Sequence, residues 1–162
     1  MASLEACSSS SAPNNNHKAE KCVPCSDLDE SSKLSFDEAS AELASLRNPS
    51  LWNLKSSNGS SSAADANDVV LFLSRKFTAR NFQTAIDSIN NVGAIAELVN
   101  HHPNLHLTNY REVEIEIYTH KVNGLTKNDF ELANKIDESV SIDFSPKWLR
   151  ENPAFMSVSV KK

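Results

Sequence analysis

Between Glu112 and Ile117 the chain reads Glu-Val-Glu-Ile-Glu-Ile. Val113, Ile115 and Ile117 alternate with Glu112, Glu114 and Glu116, and a period of two is the mark of a strand with one dry face and one wet face. Just upstream, Leu105 and Leu107 alternate with His106 and Thr108. The two runs, joined at residues 109–111, describe an antiparallel hairpin. Its glutamate face belongs in water, so the sheet is covered on one side only, and the cover has to come from helices elsewhere in the chain.

Three helical segments are available. Ser35 and Glu38 have capping-box spacing ahead of the stripe Phe36, Ala39, Leu43 and Leu46, which predicts a helix to about residue 47, stopped by Asn48-Pro49. The longest pattern runs over 79–100, with Thr78 as N-cap. Phe82, Ile86, Ile89, Gly93 and Ala96 share one face there, and Val92, Ile95 and Val99 widen it, so this helix is apolar on more than one side. Thr126 and Asp129, flanked by Leu125 and Phe130 at the staple positions, start a third helix through Leu132, Ala133, Ile136 and Val140. Residues 51–54 and 69–73 read as two further strands joined by a long Ser- and Asn-rich loop. The order is helix, strand, strand, helix, strand, strand, helix. That is an α+β fold, a four-stranded antiparallel sheet with three helices packed on one face.

A length of 162 residues fits one domain, and a net charge of −5 leaves no basic stripe for nucleic acid. No apolar run reaches the roughly 20 residues that span a bilayer, so no membrane partner is expected. Residues 1–34 are rich in Ser, Asn and Lys and poor in large apolar groups, and read as a disordered leader. Residues 35–150 form the folded domain and 151–162 a flexible tail. The leader lacks a secretory pattern and has no Arg in its first forty residues, against a transit peptide. Cys7, Cys22 and Cys25 make an odd set without a disulfide framework. They point to a reducing compartment, the cytoplasm first, with mitochondrion, plastid or nucleus as alternatives. Cys22-Val23-Pro24-Cys25 has redox or half-zinc spacing, but only His17 is near, so two plain thiols are the simpler reading.

Chemistry concentrates elsewhere. Four of the five histidines fall between His101 and His120. His101 and His102 stand at a helix-to-strand corner, with Pro103 keeping His102 out of the helical region. His120 lies just past a strand end, on the parity of the glutamate face. A pocket at the sheet edge would gather imidazoles from both places. Imidazoles titrate at about pH 6.5, so two of them supply a proton donor and an acceptor together near neutrality. That chemistry suits an elimination or addition. No nucleophile motif lies beside them, and three glycines leave no phosphate loop. A metal held by His101, His102 and His120 is disfavoured, because adjacent ligands are awkward and no carboxylate has metalloprotease spacing. On the residues alone, Asp129 is fully explained as a capping partner, and Glu97 and Tyr110 as surface or packing residues.

The spacing Glu97, His101-His102-Pro103, Tyr110, Thr119-His120, Gly124-Leu125-Thr126, Asp129 and Ala133 resembles the signature of the pterin-4a-carbinolamine dehydratase family. Phe77 and Phe82 fit its first buried helix, Lys21-Cys22-Val23-Pro24-Cys25 is similar to a leader in some members, and Ser145-Pro146-Lys147-Trp148-Leu149 resembles plant members. Leu105 departs from the Trp that many members carry there, and the gap to Tyr110 is one residue longer than in the animal form. The resemblance implies a dehydratase that eliminates water from a 4a-hydroxytetrahydropterin, in tetrahydropterin recycling, with no cofactor. It implies His101 and His102 as acid and base and His120 as their helper or a pterin contact. Asp129 would orient a histidine, Glu97 would meet the polar pterin edge, and Pro103, Tyr110 and Thr119 would support the site. It further implies a homodimer or homotetramer. The alternative is a non-catalytic binding, assembly or transcription-cofactor module, with a protein partner on helix 79–100.

Overall fold

A computed structural model of the protein describes residues 22–24, 27–57 and 70–156. Four strands, β1 (Asn53–Ser56), β2 (Leu71–Thr78), β3 (Asn104–Thr108) and β4 (Glu112–Ile117), form an antiparallel sheet in the order β1-β2-β4-β3. Helices α1 (Phe36–Ser45), α2 (Phe82–Val99) and α3 (Lys127–Ser139) pack with it, and a short α4 (Pro146–Glu151) follows. The α+β architecture and element order expected from the sequence are those observed.

The β3–β4 hairpin turns at Asn109 and Tyr110, both left-handed with φ of 46° and 57°. This double positive φ matches the strands' twist. Val113, Ile115 and Ile117 point into the core with no exposed surface, paired with Phe77, Arg75 and Leu73 of β2. The opposite face is polar. Glu114 there accepts from Lys55 Nζ (2.7 Å) and Ser74 Oγ (2.8 Å), and the lysine contact is the main cause holding its carboxyl below its ordinary value.

Several boundaries moved for physical reasons. β1 begins two residues late because Pro49–Leu51 winds into a 3-10 turn. β2 runs on to Thr78, which pairs with Glu112, so Thr78 is a strand residue and not a cap. Helix α2 starts instead at Asn81, whose side chain accepts from Thr84 N–H (2.9 Å), while Thr84 Oγ1 accepts from Asn81 N–H (3.1 Å). Its buried face is Ala85, Ser88, Val92, Ala96 and Val99. Phe82, expected inside, is 53% exposed. Small residues let α2 approach the sheet, and Ser88 satisfies its hydroxyl on Thr84 O (2.7 Å), so the true core face is the less hydrophobic one.

Both ends of the domain reach further than composition implies. Residues 22–24 and 27–34, assigned above to a disordered leader, pack on the domain, with Cys22 and Leu28 buried. In the expected tail, Phe155 is buried against Trp148 (centroids 4.6 Å) and Phe144 (5.6 Å). The remaining leader, Cys7 and Cys25 included, the loop 58–69 and residues 157–162 lie outside the described residues.

Candidate active site

The corner after α2 is set by Asn100. It takes a left-handed conformation (φ 58°), with Asn100 N–H donating to Glu97 O (3.3 Å) and His101 N–H to Ala96 O (3.1 Å). This pairing satisfies the last helical carbonyls and turns the chain at once into β3. The two histidines therefore leave the corner differently: His101 is buried at 3% exposure, while the His102 side chain is 55% exposed.

Across from the corner, Tyr118, Thr119 and His120 follow directly on the end of β4. Thr119 N–H donates to Gly124 O (2.8 Å), closing a small loop in which His120–Val122 is a 3-10 turn. Tyr118 and His120 rings lie 4.3 Å apart between centroids, tilted by 47°. A cavity of ≈ 250 Å³ is lined by Asn100, His101, His102, Tyr118, His120 and Lys121. The adjacent His101 and His102 share it with His120, which comes from a distant part of the chain.

Asp129, at the start of α3, is wholly buried and does two jobs. Its Oδ2 accepts from Thr126 N–H (2.6 Å), Thr126 Oγ1 (3.1 Å) and Thr119 Oγ1 (3.0 Å). Its Oδ1 lies 2.7 Å from His101 Nε2. An ionised carboxylate only accepts, so in this contact His101 Nε2 is the donor to Oδ1. The residue that caps the helix thus also holds the ring of a cavity histidine. On the rim, His102 Nε2 meets Glu97 Oε1 at 3.1 Å.

Of the residues expected at a site, His101, His102 and His120 line the cavity, and Glu97, Thr119 and Asp129 contact those histidines or support them. Pro103 is half-buried at the corner. Tyr110 is not brought there. It sits 61% exposed on the hairpin turn, under the Arg111 guanidinium (5.4 Å). β3 carries the chain away from the corner by about 3.3 Å per residue over five residues, so the turn lies at the sheet's other end. His106 pairs with Glu116 (3.1 Å) on the polar face. Tyr118 and Lys121 were missed, although Tyr118 shares the parity of His120 and was readable on that ground. Among the described residues, no group of three or more His, Cys, Asp or Glu is placed to hold a metal ion. Nor is any helix among them long and apolar enough to cross a membrane.

Fold and cavity together define an α+β protein with a histidine-lined pocket backed by a buried carboxylate. Residues 32–139 match the family described as pterin 4 alpha carbinolamine dehydratase, and the chain belongs to that family. It is 38% identical over 118 residues to a mitochondrial pterin-4-alpha-carbinolamine dehydratase 2 of Arabidopsis thaliana, covering 73% of this chain and 56% of that one. A putative pterin-4-alpha-carbinolamine dehydratase of Alkaliphilus metalliredigens is 32% identical over 127 residues, with 78% and 98% covered. With the Arabidopsis relative and those of Rubrobacter xylanophilus and Rickettsia canadensis, the match spans 56%, 60% and 62% of the relative's length. A crystal structure titled transcriptional coactivator/pterin dehydratase from Brucella melitensis superposes with a TM-score of 0.50 at 25% identity, covering 67% of this chain and 99% of that one.

Proposed function

We propose that the chain is a hydro-lyase that dehydrates a 4a-hydroxytetrahydropterin to the quinonoid dihydropterin, in tetrahydropterin recycling. The observation that carries this is the convergence of three imidazoles on one cavity, one of them oriented by a buried carboxylate. In the reaction the C4a–O bond breaks and the oxygen leaves as water, taking a proton from a general acid. The N5 proton passes to a general base as the C4a–N5 double bond forms. His101 and His102 share these two roles. His120, beside the Tyr118 ring, seats the pterin, and Glu97 meets its polar edge through the rim. No group outside this chain is required to balance the step.

The purified protein, mixed with chemically prepared 4a-hydroxytetrahydropterin, should speed formation of the quinonoid product well above the buffer rate, read by absorbance. A rate equal to buffer would sink the proposal.

The chain also presents Phe82 (53% exposed) on α2, with Ile86 and Ile89 half-buried on the same helical face. We propose that α2 meets α2 of further copies in a homodimer or homotetramer. Sedimentation velocity should give an oligomer that Phe82→Glu dissociates. A monomeric parent would remove the idea and leave the face for another protein.

A further inference from the structure

The segment ahead of α1 touches each of the three pieces of chain that build the cavity. Cys22 N–H donates to Val99 O (3.2 Å), one of the carbonyls left open at the C-terminus of α2, two residues before His101. Asn128 Nδ2 donates to Val23 O (2.8 Å), and Asn128 immediately precedes Asp129. Leu34 N–H donates to Leu125 O (2.8 Å), on the loop that follows His120. The Lys33 side chain lies flat on Gly124, so close that a Cβ there would come within 2.7 Å of its Cε. Cys22 and Asn128 are themselves buried, at 5% and 3% exposure. None of these contacts builds the sheet, and α2 and α3 each carry capping of their own besides them.

From this placement we infer that residues 22–23 and 33–34 are a positioning clamp for the imidazole–carboxylate pair, with Cys22 and Asn128 as its positioning residues. The inference rests on the dehydratase reading of the cavity. Its physical basis is that His101 directly follows the end of α2 while Asp129 lies in the first turn of α3. Their 2.7 Å contact survives only while the end of α2 and the start of α3 keep a fixed offset. Residues 22–23 bond to both ends at once and so tie that offset. Gly124 matters for the same reason: any side chain there displaces Lys33 from the His120 loop.

Two full-length variants test the clamp. Asn128→Ala deletes the amide that holds Val23, and alanine is a good helix former, so α3 is not weakened. Cys22→Glu forces a carboxylate into a buried position, which lifts the segment away. Each should lower kcat about tenfold or more with KM changed less than about twofold, since a small misplacement of a catalytic group acts on the chemical step. In both, the His101 ring signals in NMR should shift or broaden. Cys22→Ala keeps the backbone donor and should recover most of the activity that Cys22→Glu loses. Parent-like kcat and parent-like His101 signals in both variants overturn the clamp, as does a Cys22→Ala loss as deep as that of Cys22→Glu. A parent protein without dehydratase activity overturns the reaction instead, and the His101 signals then judge the clamp alone.

Discussion

Replacing His102 with alanine is expected to lower kcat for dehydration about a hundredfold or more, the usual contribution of a positioned acid or base. Its unfolding midpoint should not move. The His102 side chain is 55% exposed, and its one recorded partner, Glu97, is 78% exposed, so the contact adds little stability. His101 should behave differently, because it is buried on Asp129. His101→Ala removes the ring and leaves Oδ1 of a buried carboxylate without its donor, at a cost of about 3 kcal/mol. Activity and stability fall together. His101→Gln separates them, since its amide can still donate to Oδ1 but cannot exchange a proton near neutrality. It should stay folded and lose activity about as far as His102→Ala. The double change of His101 and His102 to alanine should reach the buffer rate. Turnover and urea unfolding of the same preparations decide the matter, and either imidazole is out of the mechanism if its removal leaves kcat within about threefold of the parent.

How much of this was readable from the chain follows from which forces act locally. β3 and β4 were plain because alternation is written in consecutive residues, and the Ser35–Glu38 and Thr126–Asp129 boxes because capping is local too. The second role of Asp129 was legible only through the family resemblance, since a residue with a complete local explanation gives no hint on its own that its other oxygen meets His101. The buried face of α2 was read only in part: Val92, Ala96 and Val99 were found, but Ala85 and Ser88 were not, because they serve close approach, which hydrophobicity does not measure. The packing of Cys22 was invisible in a polar segment because its tethers are mostly backbone groups, which every sequence has. The histidines were found by clustering, but their convergence depends on Asn100 turning left-handed, a choice of one residue. Tyr110 was the opposite case: it belongs to the family spacing, yet lies at the far end of the hairpin in this chain.

Arg75 is the residue that patterning hid most completely, and its removal should carry the largest stability effect. It occupies an inward position of β2 between Leu73 and Phe77, 1% exposed, where alternation calls for an apolar side chain. Its Nη1 meets Asp137 Oδ1 of α3 at 2.6 Å, and its guanidinium lies 5.7 Å from the ring centroids of both Trp52 and Phe155. Burial pulls Arg75 below its ordinary value and pushes the Asp137 carboxyl up, in each case against the attraction of the partner. Arg75→Met removes the partner but not the buried acid, and should cost about 3–5 kcal/mol in urea unfolding at neutral pH. Removing both charges, Arg75→Met with Asp137→Leu, should recover a large part of that loss, because two ions no longer have to be desolvated. Recovery should stop short of the parent. Asp137 also accepts from Trp52 Nε1 and Asn48 Nδ2, both at 3.3 Å, and an orphaned buried donor costs about 1–3 kcal/mol. A single variant within about 1 kcal/mol of the parent would show that water reaches the pair. A double variant no better than the single one would show that the indole and amide donors, not the ion pair, are what Asp137 is there to satisfy.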